Sequence, residues 1–175
     1  MSDVSPKTKL RLAERPWARL LFFGVMLLLV GAALFINYDS HRPRFVALEI
    51  DGRTRLTAEI ADTAAKRERG LSGHEALGPG EGMLFVFAAP GRQVFWMKGM
   101  SFPIDIIWLL GEEVVDLVTD VPPPAHGVAD SALPSYASRV PADRVLEVPA
   151  GFAAANGLRI GSQIRAVVDT ESGVR

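Results

Sequence analysis

The chain has 175 residues, a formal net charge of −1 and no cysteine. That length holds one domain and a short appendage, and the missing thiol excludes disulfides, thiolate metal sites, a cysteine nucleophile and a lipid-modified cysteine. The charge is unevenly spread: up to Ile36 five Lys/Arg face two acids, and beyond it fourteen Lys/Arg face eighteen Asp/Glu. A mildly acidic remainder carries no electrostatic footprint for nucleic acid.

Leu20 to Ile36 reads LLFFGVMLLLVGAALFI, seventeen residues without a charge. As a helix it spans about 26 Å, slightly under a ~30 Å hydrocarbon core. Trp17 and Tyr38 flank it, where amphipathic aromatics anchor a span at the interface. Lys7, Lys9, Arg11, Arg15 and Arg19 all precede it, and the positive-inside rule then keeps residues 1–19 cytoplasmic and exports the rest. A cleaved signal peptide is the rival reading, since Gly31 and Ala33 are small enough for a cleavage site. The run exceeds the ~7–15 apolar residues of a signal peptide, which favours an uncleaved anchor. Either reading places the domain on the extracytoplasmic, periplasmic side.

Residues 37–44 (NYDSHRPR) read as a short linker, 45–170 as the exported domain and 171–175 as a tail. Phe45 to Ile60 has hairpin alternation around Asp51-Gly52, a dipeptide suited to two positive φ angles. Thr63 can cap a short helix through Lys66 and Arg69 that exits at Gly70. The stretch GHEALGPGEG, with four glycines and a proline, is loop. Met83–Phe87, the segment starting Phe95-Trp96-Met97, Ile104–Leu110, Val114–Thr119, Arg144–Val148 and Gln163–Val168 read as strands. Asp120–Pro141, with five prolines, reads as a surface excursion, and Ala150–Asn156 as one or two helical turns stopped by Gly157. The fold expected is mainly β (α+β): a compact β-barrel or sandwich with one or two short helices, behind a single N-terminal transmembrane helix.

The segments RGLSG, GMLFVF, FWMKGMSFPIDIIWL and VLEVPAG, arriving in that order, resemble the family called domain of unknown function 192. The resemblance runs from about Glu49 to Val168. Ser72 stands where the family usually has Met, and Gly99-Met100 replaces the usual Asn-Thr. The resemblance implies a compact, mainly β fold, often exported or anchored, and no established activity. It also marks Glu147 and Tyr136 as family positions that either line a pocket or pair at a sheet edge.

Asp105 is the residue most suggestive of chemistry. On an alternating strand it shares a face with Ile107 and Leu109, while Ile104, Ile106 and Trp108 take the other. A carboxylate between two apolar faces needs a cation or several hydrogen-bond donors. Arg69 and Lys98, inside the best-matched motifs and each beside a glycine, are the cations expected to reach it, with Trp96 alongside. The pair is either a salt bridge fixing register or the mouth of a polar pocket. Trp96 and Trp108 offer flat faces to a ligand or pack in the core. Met83, Met97 and Met100 provide too few convergent thioethers for Cu(I), Gly70-Leu-Ser72-Gly-His74 lacks the second glycine of a nucleophile elbow, and His41, His74 and His126 lack ligand spacing. No cofactor or metal is expected.

The pattern favours a membrane-tethered module that binds a small polar ligand or an envelope partner. One alternative is a hydrolase or lyase with Asp105 as general base and Lys98 or Arg69 holding an oxyanion. The other is a structural partner of a membrane complex.

Overall fold

The computed structural model describes residues 16–167. The chain divides into two units, ending and beginning at Arg42 and Pro43. Among the described residues the first contains one helix, α1 (Pro16–His41), of 26 residues. Pro16 occupies its first position, where a fixed φ suits the helix and the missing N–H costs nothing. The helix runs through the first five residues of the expected linker, because nothing in NYDSH breaks it and Pro43 ends it. All described side chains from Leu20 to Ala33 are exposed. Among the described residues no helix is long and apolar enough to cross a membrane. The described side chains of α1 stop at Ala33, three residues short of the end of the apolar run. Tyr38's side chain and the basic residues Lys7, Lys9, Arg11 and Arg15 lie outside the described residues, as do Val168 and the tail 171–175.

Among the described residues the second unit is a curled, half-barrel sheet with two short α-helices and one 3-10 turn (Asp130–Ala132). Its strands are β1 (Phe45–Ile50), β2 (Thr54–Ala61), β3 (Glu81–Gly91), β4 (Val94–Trp96), β5 (Ile104–Leu110), β6 (Glu113–Val121), β7 (Ser135–Ala137), β8 (Ala142–Pro149) and β9 (Ile164–Val167), and its helices are α2 (Ala64–Arg69) and α3 (Phe152–Ala155). Seven strands join in the order β6-β5-β8-β3-β2-β1-β9, and β4 pairs with β7 as a separate ribbon. Asp51 and Gly52 both take positive φ in the β1–β2 turn. The Thr63 hydroxyl accepts from the Lys66 N–H at the start of α2, and Gly70 ends the helix. Helix α2 carries the chain between β2 and β3, which pair in parallel; the other ladders are antiparallel.

The sheet closes on itself at one end. Val114 N–H donates to Ser162 O and Ile164 N–H to Glu112 O, both at 2.8 Å, joining the β6 edge to the segment entering β9. Leu48, Ile50, Leu56, Leu84, Ile107, Leu109, Leu146, Val148 and Ile164 fill the inside of the curl. The opposite face carries a second cluster that includes Met83, Phe85, Met97, Ile104, Ile106, Trp108 and Val145. The β4–β7 ribbon covers part of that face. Phe95 holds it there, with edge-on contacts to Phe85, Phe87 and Trp108 at 4.8, 6.5 and 6.4 Å between ring centres. Arg139 pins the β7–β8 connection, its guanidinium 2.6 Å from the buried Asp116 carboxylate on β6. That bond lowers the Asp116 pKa and raises that of Arg139.

Two expectations need correction. The excursion expected over Asp120–Pro141 contains β7, whose three residues are too few for a period to register in the sequence and are ordered only by pairing with β4. Asp105 is fully buried, but neither Arg69 nor Lys98 neutralises it. Arg69 pairs with Glu59 at 3.6 Å and Lys98 with Asp130 at 2.7 Å. Asp105 instead accepts three backbone N–H groups: Asp120 at 2.8 Å and Gly151 at 3.2 Å on one oxygen, Ala153 at 2.8 Å on the other. The β5–β6 register slips between Ile104 and Ile106, where two β6 residues, Thr119 and Asp120, stand opposite Asp105 alone, and Asp120 takes a φ of 54° there. This bulge turns the Asp120 N–H out of the ladder and into the carboxylate. Asp105 therefore ties the bulge in β6 to the start of α3.

Replacing one carboxylate oxygen by an amide donor would face an N–H with another N–H. Asp105→Asn is expected to lower unfolding free energy by roughly 1–3 kcal/mol, the cost of buried donors left unpaired. Thermal or urea unfolding measures it, and an unchanged midpoint would refute the structural role.

Candidate functional site

A cleft of about 430 Å³ opens on the face of the sheet that the β4–β7 ribbon leaves partly uncovered. Its floor is Glu147 on β8. In the ladders Glu147 lies opposite Met83 on β3 and Ile106 on β5, so its neighbours on the sheet surface are apolar. Helix α2 and the turn after it form one wall, with Arg69 and Leu71; Phe95 and Trp96 supply aromatic surface over the buried Phe85, and Lys98 stands at the rim.

Two glycines let these walls meet. Gly70 leaves α2 at a φ of 49°, and a Cβ there would press on the Phe85 ring at 3.3 Å. Gly99 has a φ of 69°, and a Cβ there would overlap the Ser72 hydroxyl. The Gly73 N–H donates to Gly99 O at 3.2 Å, joining the loop after α2 to the loop after β4. The motifs RGLSG and WMKG are thus one contact in space. The two departures from the family pattern, Ser72 and Gly99, touch each other.

Of the six residues expected to form a pocket, Arg69, Trp96, Lys98 and Glu147 line this cleft. Asp105 and Tyr136 do not. Asp105 faces the inside of the curl with Ile107 and Leu109, on the opposite side of the sheet. Tyr136 pairs with Phe95 in the β4–β7 ribbon and packs against the outer cluster. Trp108 is fully buried and donates its indole N–H to Gln93 O, which makes it core, whereas Trp96 is half-exposed. Met83 and Met97 are also buried in the core. Phe85 and Phe95 line the cleft without any sign of it in the sequence, and Ser72 and Met100, considered there only as a nucleophile and a thioether ligand, line it too. Nothing local in the sequence separates a cleft-lining Phe from a core one.

Glu147 is the unusual group. It is 5% exposed, and among the described residues no donor or cation partners its carboxyl. Burial pushes its pKa up to about 8. At neutral pH the floor of the cleft is then mainly an uncharged carboxylic acid, which both donates and accepts a hydrogen bond. The same reasoning that drew attention to Asp105, a single acid in an apolar strand, applies to Glu147 in Val145–Val148. The difference is that backbone donors satisfy Asp105 and leave Glu147 open.

The rim is cationic. The Lys98 ammonium lies 5.3 Å from the Trp96 ring centre and pairs with Asp130, both partners about half-exposed. Arg69 is also about half-exposed beside Glu59. The Lys98–Asp130 pair, exposed on both sides, is worth roughly 0–1 kcal/mol and exchanges partners readily, whereas Glu59 is largely buried and holds Arg69 more firmly. Arg67 is committed, donating to Asp62 O and Val86 O at 2.8 and 2.9 Å. A larger cleft of about 550 Å³ surrounds the β1–β2 turn. Its acids are tied, Asp51 to the Gln163 N–H at 2.7 Å and Glu49 to Arg55 at 3.4 Å. Among the described residues no three His, Asp or Glu side chains gather as a metal site.

An acid whose pKa rises on folding binds its proton more tightly in the native state. Native stability is then greatest below the unfolded pKa and is lost as pH rises through the folded one. The wild type is expected to lose stability between about pH 5 and about pH 8, and Glu147→Gln to remove that part of the slope. Chemical denaturation across this range measures it; identical slopes in the two proteins would refute the raised pKa.

No curated protein matches the chain. Two solved structures resemble it. One is a protein from Sinorhizobium meliloti 1021 provisionally described as a transcription regulator, 25% identical, with a TM-score of 0.64, covering 71% of this chain and 95% of its own. The other is a protein of unknown function from Novosphingobium aromaticivorans DSM 12444, 26% identical, with a TM-score of 0.61, covering 71% of this chain and 92% of its own. A family model, described as an uncharacterized ACR, matches residues 46–166, nearly the whole of the second unit, and the chain belongs to that family, DUF192.

Proposed function

We propose that this protein is a membrane-tethered binding module whose cleft takes a small polar ligand on the extracytoplasmic side. The observation that carries the binding reading is Glu147: an acid buried at the floor of a concave site, beside aromatic walls, with no partner of its own. Leaving a buried polar group unpaired costs free energy. A ligand that hydrogen-bonds Glu147 recovers that cost while its body stacks against Trp96 and Phe95. The cleft is also within the ~300–1,000 Å³ range of small-molecule sites.

The tether rests on the uncharged run Leu20–Ile36, which lies within the single helix α1 and follows five basic residues. Leu20 to Val30 present large apolar side chains that are 45–73% exposed, apart from Gly24. An exposed apolar surface of that extent calls for a lipid or protein environment.

A second reading, an enzyme, has one observation in its favour. A carboxyl poised near pH 8 in a cleft is suited to general acid or base work. Such an enzyme would use Glu147. Asp105, proposed from the sequence as the base, is fully buried and already accepts three N–H groups, so it has no path to a substrate.

Protease added to intact spheroplasts should degrade everything after α1 while sparing residues 1–19. Protection of the C-terminal unit would sink the topology. For the cleft, the full-length protein is purified in detergent, denatured, and its released small molecules are identified by mass spectrometry. A compound released by the wild type and lost from Trp96→Ala, with the unfolding midpoint nearly unchanged, supports binding. Equal release from both proteins, or none from either, counts against it.

A further inference from the structure

We propose that the ligand of this cleft is a small organic carboxylate on a flat, apolar body, its charge held at the Arg69–Lys98 rim and a hydrogen-bond acceptor at its other end meeting Glu147. This rests on the reading of the cleft as a binding site and names the chemical class that the site selects.

Cations outnumber acids along the lining of the cleft. Arg67, Arg69 and Lys98 are cationic, and Glu68 is the one lining acid besides Glu147. Glu59 and Asp130 pair with two of the cations but do not line the cleft. Arg67 is spent on backbone carbonyls, which leaves Arg69 and Lys98 as the cations able to turn toward a ligand. Arg offers a planar fork that matches a carboxylate, and Lys a mobile point charge. Exchanging the exposed Asp130 for a ligand carboxylate costs Lys98 little, and Arg69, itself half-exposed, can offer its remaining N–H donors to the ligand while it keeps Glu59.

The walls set the body of the ligand. Phe95 and Trp96 present aromatic surface, with Phe85 buried behind them, and the sheet neighbours of Glu147, Met83 and Ile106, are apolar and non-titrating. A flat ring fits such walls by stacking or edge contact. A long charged or heavily hydroxylated ligand would have to lose its water against them without compensation.

The floor sets the far end. In its uncharged form Glu147 donates a hydrogen bond, so the ligand atom that meets it must be an acceptor. Once Glu147 ionises, the donor is lost and the new negative charge repels the anion. Burial places this change at about pH 8. The charged groups facing Glu147 across the cleft are Arg67, Glu68 and Arg69 from α2 and Lys98 from the loop after β4. A cationic ligand would behave oppositely: it would pair with ionised Glu147, be repelled by the rim, and bind better as pH rises.

Three probes share one ring and differ in charge: nicotinate is an anion, nicotinamide is neutral and 3-(aminomethyl)pyridine is a cation near neutral pH. Each carries a ring nitrogen that accepts a hydrogen bond. Binding to the full-length protein in detergent is measured by calorimetry. At about pH 6.5 nicotinate is expected to bind at least about tenfold more tightly than the other two, the scale of one charge-assisted contact. Lys98→Ala should remove that preference while changing nicotinamide binding less than about twofold. Nicotinate affinity should fall roughly thirtyfold between about pH 6.5 and pH 9.5, as expected for a protonated partner of pKa near 8. Glu147→Gln, which keeps an uncharged donor at every pH, should flatten that profile.

Tighter binding of nicotinamide or of the amine would overturn the carboxylate class and leave the cleft a binding site. A wild-type profile without a fall, or an equal fall in Glu147→Gln, would remove Glu147 from the interaction. No binding of any probe would remove the proposal, while release of an endogenous compound lost in Trp96→Ala would still support the site itself.

Discussion

The central strands of this fold are apolar on both faces, and the rest of the structure answers that constraint. In β5, six of the seven residues from Ile104 to Leu110 are buried. A strand of this kind cannot lie at a half-solvated surface, because one whole face would waste its hydrophobic contribution. Two separate covers are therefore required. The sheet supplies the first by curling until the entry to β9 meets β6. The β4–β7 ribbon supplies the second, held down by Phe95 and by the Asp116–Arg139 bond. The second cover is smaller than the face it protects, and the remaining gap is the cleft above Glu147.

Two carboxylates on adjacent strands show how the faces differ. Asp105 and Glu147 are both single acids inside apolar strands, and both are almost wholly buried. Asp105 points into the closed curl, where a bulge and the start of α3 bring three N–H groups to it. Its charge is satisfied by backbone, and it joins three segments of chain. Glu147 points to the incompletely covered face, where its sheet neighbours are Met and Ile and no donor reaches it. Burial without a partner raises its pKa. The environment, and not the residue type, assigns one acid to structure and the other to a site.

The motifs that carry the family resemblance acquire a physical meaning once they are seen together. Gly70 and Gly99 both hold positive φ, and both bring backbone within reach of a side chain on a neighbouring segment, Phe85 and Ser72. A Cβ at either would press these segments apart. Arg69 and Lys98, each next to one of these glycines, are thereby placed at the rim of the cleft. The signature is the set of residues needed to bring the two loops together over β8.

Much of this was legible in the sequence. Alternation and the Asp51-Gly52 turn located the first hairpin, Thr63 and Gly70 bracketed α2, and the strands from Met83 to Val148 followed from short apolar runs between turn signals. These features are local, encoded in periods of two and in residues with special backbone preferences. The ribbon strand β7 was not legible, since three residues beside prolines carry no period and exist as a strand only through β4. The fates of the two acids were not legible either. Which face of a strand is sealed, and which backbone N–H groups arrive there, depends on segments 15 to 48 residues away in the chain for Asp105. Sequence alone determined that a charge would be buried in an apolar strand. Only the tertiary structure decided which buried acid is satisfied and which one opens on a cleft, because hydrogen-bond partners distant in the chain are supplied by the fold.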